Sequence, residues 1–324
     1  MENINVVARL APVFQEINQR IELHLKTDVP FVAEVCRHIL LSGGKRLRPA
    51  LFVLATHLCG GLEIREMEFS LAFEFLHAAT LLHDDVVDNA NIRRGKAAAH
   101  TVYGNPGVIL VGDFLFAKAL AISTMTGRLV FTDVMAETVA RMTEGEVMQL
   151  LKSRDAGITE DEYIQVIHRK TGMLIESCCY LGAILADGQD WQTHGLRQFG
   201  RHIGLAFQII DDTLDYQITS SEFGKPVGHD LDEGKITLPL IRALSQASSQ
   251  DKTELIELIA QEHRTPDDFN RVRQLIDKYH GLEQAVERAA QEVADGRDAL
   301  RDFPESQDKK DLLDLADYII TRRK

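Results

Sequence analysis

Apolar residues recur at helical spacing along most of the chain, as in Leu282, Val286, Ala289 and Val293, or Leu312, Leu315, Ala316 and Ile319. No segment shows the alternating apolar and polar pattern of a half-buried strand. Turn formers separate the periodic stretches: Gly43-Gly44, Gly60-Gly61, Asn105-Pro106-Gly107, Gly188, Thr265-Pro266, His280-Gly281 and Phe303-Pro304. Each reads as a helix boundary. Thr265-Pro266-Asp267-Asp268 sets a capping residue, a first-turn proline and first-turn acids in the order that opens a helix. The pattern predicts an all-α protein, a helical bundle of about a dozen helices. With no low-complexity linker to divide it, residues 1–324 read as one domain.

Composition narrows what such a bundle does. A hydrophobic content of 45% over 324 residues allows a sizeable core. A net charge of -13 argues against nucleic acid as a partner, because a phosphate-backbone reader needs a basic stripe. Cys36, Cys59, Cys178 and Cys179 lie in apolar surroundings with no CxxC spacing and no secretory leader ahead of them, as reduced thiols of a cytoplasmic protein do. The longest apolar stretch, around Val108 to Ile122, is interrupted by Asp113 and Lys118, so no transmembrane segment is expected.

Two acidic clusters break the apolar pattern. Asp84, Asp85 and Asp88 end one apolar helix, and Asp211, Asp212 and Asp215 repeat the spacing at the end of another. Positions four apart on a helix lie about 40° from each other, so each trio shares a face. Like charges gathered beside apolar sequence need a counter-ion, and an all-oxygen donor set without sulfur suits Mg²⁺ better than zinc. A lone DDxxD reads as a solvated helix end; two copies on apolar helices point to a metal-assisted diphosphate site. Whether the copies arose by duplication or by convergence is left open.

Cations accompany the acids. Lys45, Arg46 and Arg48 follow Gly43-Gly44, and Arg93, Arg94 and Lys96 follow the first cluster. Glycine lets backbone amides approach an anion, and arginine offers a planar fork to phosphate oxygens. By itself Gly43 to Pro49 reads equally well as a surface connection between helices. His77 lies two helical turns before Asp84, on nearly the same face, within reach of a phosphate, although a lone histidine on an apolar helix is more often a core residue. The pair His83-Asp84 also admits a metal phosphohydrolase, which leaves the second cluster and the arginine pair without a role.

These pieces resemble the trans-isoprenyl diphosphate synthases, and most the medium- to long-chain, octaprenyl-type members. The match runs in order through GGKRLRP (Gly43 to Pro49), LLHDDVVD and RRG (Leu81 to Asp88, Arg93 to Gly95), GD (Gly112, Asp113), EGEVMQL (Glu144 to Leu150), KT (Lys170, Thr171), FQIIDDTLD (Phe207 to Asp215) and GKPVGHDLDEGKITLP (Gly224 to Pro239). The resemblance implies a large all-α bundle, usually a homodimer, with a central active-site cavity. It implies about three Mg²⁺ ions with substrate bound, held by Asp84, Asp85, Asp88, Asp211, Asp212 and Asp215. Arg93, Lys170, Lys225 and Lys235 would contact the allylic diphosphate, with Thr171 and Gln208 lining the reacting end. Lys45, Arg48, His77 and Arg94 would hold the diphosphate of isopentenyl diphosphate. Catalysis would be ionisation, condensation and proton loss, with the released pyrophosphate as proton acceptor.

In that reading the growing isoprenoid runs away from Asp84 along its helix, and the residues upstream act as a ruler. Ala79 and Thr80 are small where short-chain relatives carry an aromatic; Leu76 and Phe73 lie deeper, Phe73 at roughly 16 Å. A floor there, with Met125 or Met135 from a neighbouring helix, implies a medium- to long-chain product, released with peripheral membrane contact. A farnesyl or geranylgeranyl synthase and a non-catalytic subunit of a heteromeric synthase are the alternatives. A cyclase would carry Asn and Ser ligands in its second metal motif, which Asp211 to Asp215 does not offer.

Overall fold

The computed structural model describes residues 3–61, 65–217 and 228–321. Among them the helices are α1 (Asn3–Arg9), α2 (Ala11–His24), α3 (Pro30–Leu40), α4 (Leu47–Leu58), α5 (Glu66–Val87), α6 (Ala99–Tyr103), α7 (Asn105–Thr124), α8 (Leu129–Leu151) and α9 (Glu160–Ile167). A π-helical turn, His168–Gly172, leads into α10 (Met173–Leu185). Then follow α11 (Asp190–Gln217), α12 (His229–Asp232), α13 (Leu238–Gln246), α14 (Ser249–Ala260), α15 (Pro266–Lys278), α16 (Gly281–Ala299) and α17 (Gln307–Thr321). The all-α expectation holds. The chain forms two compact units, one of residues 1–138, 177–197 and 302–315, the other of residues 139–176, 198–301 and 316–324.

In the first unit α5 lies against α7, α4, α2 and α3. Its 22 residues contain neither glycine nor proline, and Glu66 and Glu68 in the first turn favour the positive end of the helix dipole. Phe69, Leu71, Phe73, Phe75, Leu76, Ala79 and Leu82 are all buried, so the helix is apolar nearly all round and sits in the core. Phe73 meets Phe52 of α4 and Phe131 of α8 at ring centroid distances of 5.2 and 6.2 Å, in tilted arrangements that aromatic quadrupoles favour.

Two differences from the sequence expectation lie in this unit. A short hairpin, β1 (Ile92–Arg93) paired antiparallel with β2 (Lys96–Ala97), occupies what reads as a polar loop. Arg94 and Gly95 turn it with φ of 50° and 74°, the doubly positive combination that two-residue hairpins prefer. The second difference is α7, which by length and composition alone could cross a membrane despite Asp113 and Lys118. Only part of it is buried, and Ile109, Leu110 and Leu120 stand exposed on it.

In the second unit α13 packs on α16, α15 and α9. The predicted start of α15 is present as a capping box: the Thr265 hydroxyl accepts from the Asp268 amide at 3.2 Å, and the Asp268 carboxylate accepts from the Thr265 amide at 2.9 Å.

Candidate active site

The first acidic cluster closes α5. Asp84 and Asp85 sit in its last turn, and Asp88 caps it with its amide on the Asp84 carbonyl at 2.8 Å. Asp85 is fully buried. Its Oδ1 accepts from Arg93 Nε at 2.5 Å, while its Oδ2 finds no hydrogen-bond partner among the described residues. Burial pushes the Asp85 carboxyl above the usual range, partly offset by the Arg93 guanidinium. A buried carboxylate oxygen without a donor is a costly arrangement, and a hard cation supplies what it lacks. The residues therefore fit a divalent metal.

The cations nearby divide into two kinds. Arg46, in the left-handed region with φ 49°, turns inward: Nε donates to Asn18 Oδ1 at 2.8 Å, and the two terminal nitrogens donate to Glu74 and the Leu40 carbonyl. Lys45 beside it is exposed, and Arg48 lies half-buried in the first turn of α4. Arg94, at the hairpin tip, donates to the Gly43 carbonyl and so ties the Gly43 loop to the hairpin. A side chain at Gly44 would meet Arg94 Nη1 at 3.1 Å. His77 is held well below its usual pKa by burial and by Arg48, Arg94, Arg93 and Arg46, and is therefore neutral. A neutral imidazole among guanidiniums is an environment that wants an anion.

The ruler residues lie on α5. Thr80 is half-buried and donates to the His77 carbonyl at 2.9 Å; Ala79, Leu76 and Phe73 are fully buried, as is Met135 on α8, whereas Met125 is exposed. His83 points away from the acids. Its Nε2 lies 3.1 Å from the Ile109 carbonyl and 3.5 Å from Asp113, where only Gly112 leaves room for the ring. That placement gives no support to a phosphohydrolase His-Asp dyad.

In the second unit the acids stand on α11. Asp212 is buried, with Oδ2 accepting from Tyr163 at 2.6 Å and Oδ1 from Gln208 at 2.7 Å. Burial and the nearby Asp230 push its carboxyl up to about 8, against the lowering effect of those two donors. Asp211 is exposed, and Asp215 accepts from the Asp230 amide at 3.1 Å. Lys235 pairs with Glu233. Lys225 lies outside the described residues. Lys170, inside the π turn, donates to Gln149 at 2.6 Å and pairs with Glu146 at 2.7 Å; Thr171 beside it is half-buried. Tyr163, Glu146 and Gln149 were not singled out as site residues from sequence. Gln149 and Glu146 fall within the EGEVMQL segment, which was a usable signal; Tyr163 had none.

A family model described as polyprenyl synthetase matches residues 29–276. The chain is 36% identical to the octaprenyl diphosphate synthase of Haemophilus influenzae, over 99% of this chain and 97% of that one. It is 33% identical to the geranylgeranyl diphosphate synthase of Saccharolobus solfataricus, over 96% of each. Among solved structures, a polyprenyl synthase from Caulobacter crescentus complexed with calcium and isoprenyl diphosphate superposes with a TM-score of 0.94 at 35% identity, covering 99% of this chain and 98% of that one.

Proposed function

The chain belongs to the polyprenyl synthetase family, and from that premise we propose that it is a trans-prenyltransferase. It lengthens an allylic diphosphate such as farnesyl diphosphate with isopentenyl diphosphate, to a medium- or long-chain polyprenyl diphosphate of the octaprenyl kind. The observation that carries this reading is the line along α5, where the buried Asp85, its Oδ2 without a hydrogen-bond partner among the described residues, is followed upstream by small Ala79 and Thr80 and then by Phe73 in its aromatic trio. Octaprenyl and nonaprenyl synthases among the relatives favour a medium- to long-chain product, and a geranylgeranyl synthase at 33% identity leaves the exact length unfixed. The ruler residues favour the longer one.

In this reading Asp84, Asp85, Asp88, Asp211, Asp212 and Asp215 hold Mg²⁺. The Caulobacter crescentus structure with calcium and isoprenyl diphosphate supports a divalent ion. When bound, the metal neutralises the leaving pyrophosphate as the allylic C–O bond ionises. Arg93, Lys170, Lys225 and Lys235 hold the allylic diphosphate, and Thr171 and Gln208 line its reacting end. Lys45, Arg48 and Arg94 hold the diphosphate of isopentenyl diphosphate, with neutral His77 as an uncharged donor. Buried Ala79, Leu76 and Phe73 keep water from the allylic cation. The double bond of isopentenyl diphosphate attacks that cation, and the proton then lost passes to the pyrophosphate. We take residues 1–324 as one catalytic domain, paired as a homodimer; the exposed Ile109, Leu110 and Leu120 of α7 supply an apolar surface for the second copy. Four free cysteines, three of them buried, suit a cytoplasmic enzyme.

The test is incubation of the purified protein with Mg²⁺, labelled isopentenyl diphosphate and farnesyl diphosphate, followed by product chromatography. Products longer than geranylgeranyl diphosphate are expected, of the octaprenyl kind. No incorporation would defeat the catalytic reading, and farnesyl diphosphate as the sole product from a shorter primer would defeat the long-chain one.

A further inference from the structure

The π turn at His168–Gly172 is a local departure from α-helical hydrogen bonding, and such turns commonly mark functional positions. It carries Lys170 and Thr171. Two neighbouring helices approach its backbone closely. A side-chain carbon at Gly145 of α8 would fall 2.5 Å from the Lys170 nitrogen, and one at Gly204 of α11 would fall 2.7 Å from the Gly172 Cα. One at Gly172 itself would fall 3.1 Å from the His168 ring. Across the turn, His168 Nε2 meets Glu176 Oε2 at 2.7 Å, and Glu176 is buried.

That hydrogen bond joins residues eight apart. On an unbroken α-helix eight steps of about 100° leave the two side chains roughly 80° apart around the axis. A π turn absorbs one extra residue, so the separation becomes about seven α-helical steps, which leaves them only about 20° apart. The His168–Glu176 bond is therefore compatible with the π register and not with the α register. Losing the extra residue would swing Lys170 and Thr171 around the helix by about 100° relative to α10, away from Glu146 and Gln149.

We propose that His168, through Glu176, is a positioning residue that holds the π turn and so aims Lys170 and Thr171 at the allylic diphosphate. The inference rests on the assignment of Lys170 to that substrate. It goes beyond it in giving the turn a clasp whose removal weakens one substrate and spares the other.

The test compares His168→Ala, His168→Gln and Glu176→Gln with the wild type. Three quantities are read: KM for farnesyl diphosphate and for isopentenyl diphosphate, the affinity for farnesyl thiolodiphosphate by calorimetry, and a crystal structure of each variant over residues 160–180. His168→Ala is expected to lose the π turn and to weaken both allylic ligands about tenfold, while KM for isopentenyl diphosphate moves less than about twofold. His168→Gln, whose amide can still donate to Glu176, restores at least half of that loss. An intact π turn in His168→Ala overturns the proposal. So does an equal loss for both substrates that His168→Gln does not repair, because that pattern belongs to general destabilisation. A wild type that makes no product refutes the function proposed above, whereas the register of the turn in the variant structures tests the clasp regardless.

Discussion

Arg46 and Glu74 form an enclosed ion pair in the first unit, with side chains only 3% and 7% exposed. Arg46 also donates to Asn18 and to the Leu40 carbonyl, so three elements converge on one guanidinium. Glu74→Gln keeps the shape and removes the charge. Breaking one partner of a buried pair leaves the other charge uncompensated, which costs about 3 kcal/mol or slightly more. For a cooperative unit of this size, 3 kcal/mol corresponds to a fall in melting temperature of about 6 to 12 °C. Arg46→Met should cost at least as much, because it strands the Glu74 carboxylate. The double variant Arg46→Met, Glu74→Leu replaces the pair by apolar groups and should recover to within about 1 kcal/mol of wild type, giving a coupling energy of about 5 kcal/mol. The assay is chemical and thermal unfolding of the four proteins, followed by near-ultraviolet circular dichroism. Single variants costing less than about 1 kcal/mol, or a double variant as unstable as the sum of the singles, would refute the reasoning. A kinetic arm separates scaffold from ligand: KM for isopentenyl diphosphate stays near wild type in the double variant and rises in Arg94→Met.

Two further outcomes follow from the site. Asp212 has its folded-state pKa raised from 3.8 to about 8, so the metal-free protein binds a proton there that the unfolded chain releases. The stability this contributes is present below pH 4 and is lost as pH rises toward 8; melting temperature of the metal-free protein should fall over that window more in wild type than in Asp212→Asn, and equal slopes would count against it. Phe73→Ala opens the aromatic trio, costing about 3 to 5 kcal/mol if the space stays empty, and should lengthen the product seen by chromatography; an unchanged product distribution removes Phe73 from the ruler.

The parts of this molecule that could be read from sequence are of two kinds: groups satisfied within a few residues, and groups that the neighbouring sequence leaves without a partner. Helical periodicity was visible because each apolar face needs a neighbour, and the α15 cap because Thr265 and Asp268 satisfy each other within four residues. The acidic clusters stood out because carboxylates beside apolar sequence have no partner in the local pattern, and among the described residues Asp85 Oδ2 has no hydrogen-bond donor. What stayed hidden is satisfied internally over distance. Arg46 looked like another phosphate cation until Glu74, 28 residues away, claimed it. Tyr163 reaches Asp212 across 49 residues. The hairpin at 92–97 is too short for alternation to register, and the π turn changes hydrogen bonding without changing the apolar pattern. The same distinction orders the residues by consequence. Substituting a group that awaits a ligand, such as Asp85, should cost activity far more than stability. Substituting one that already has its partner, such as Arg46, should do the reverse, and His168 lies between them because its partner serves a turn that serves a substrate.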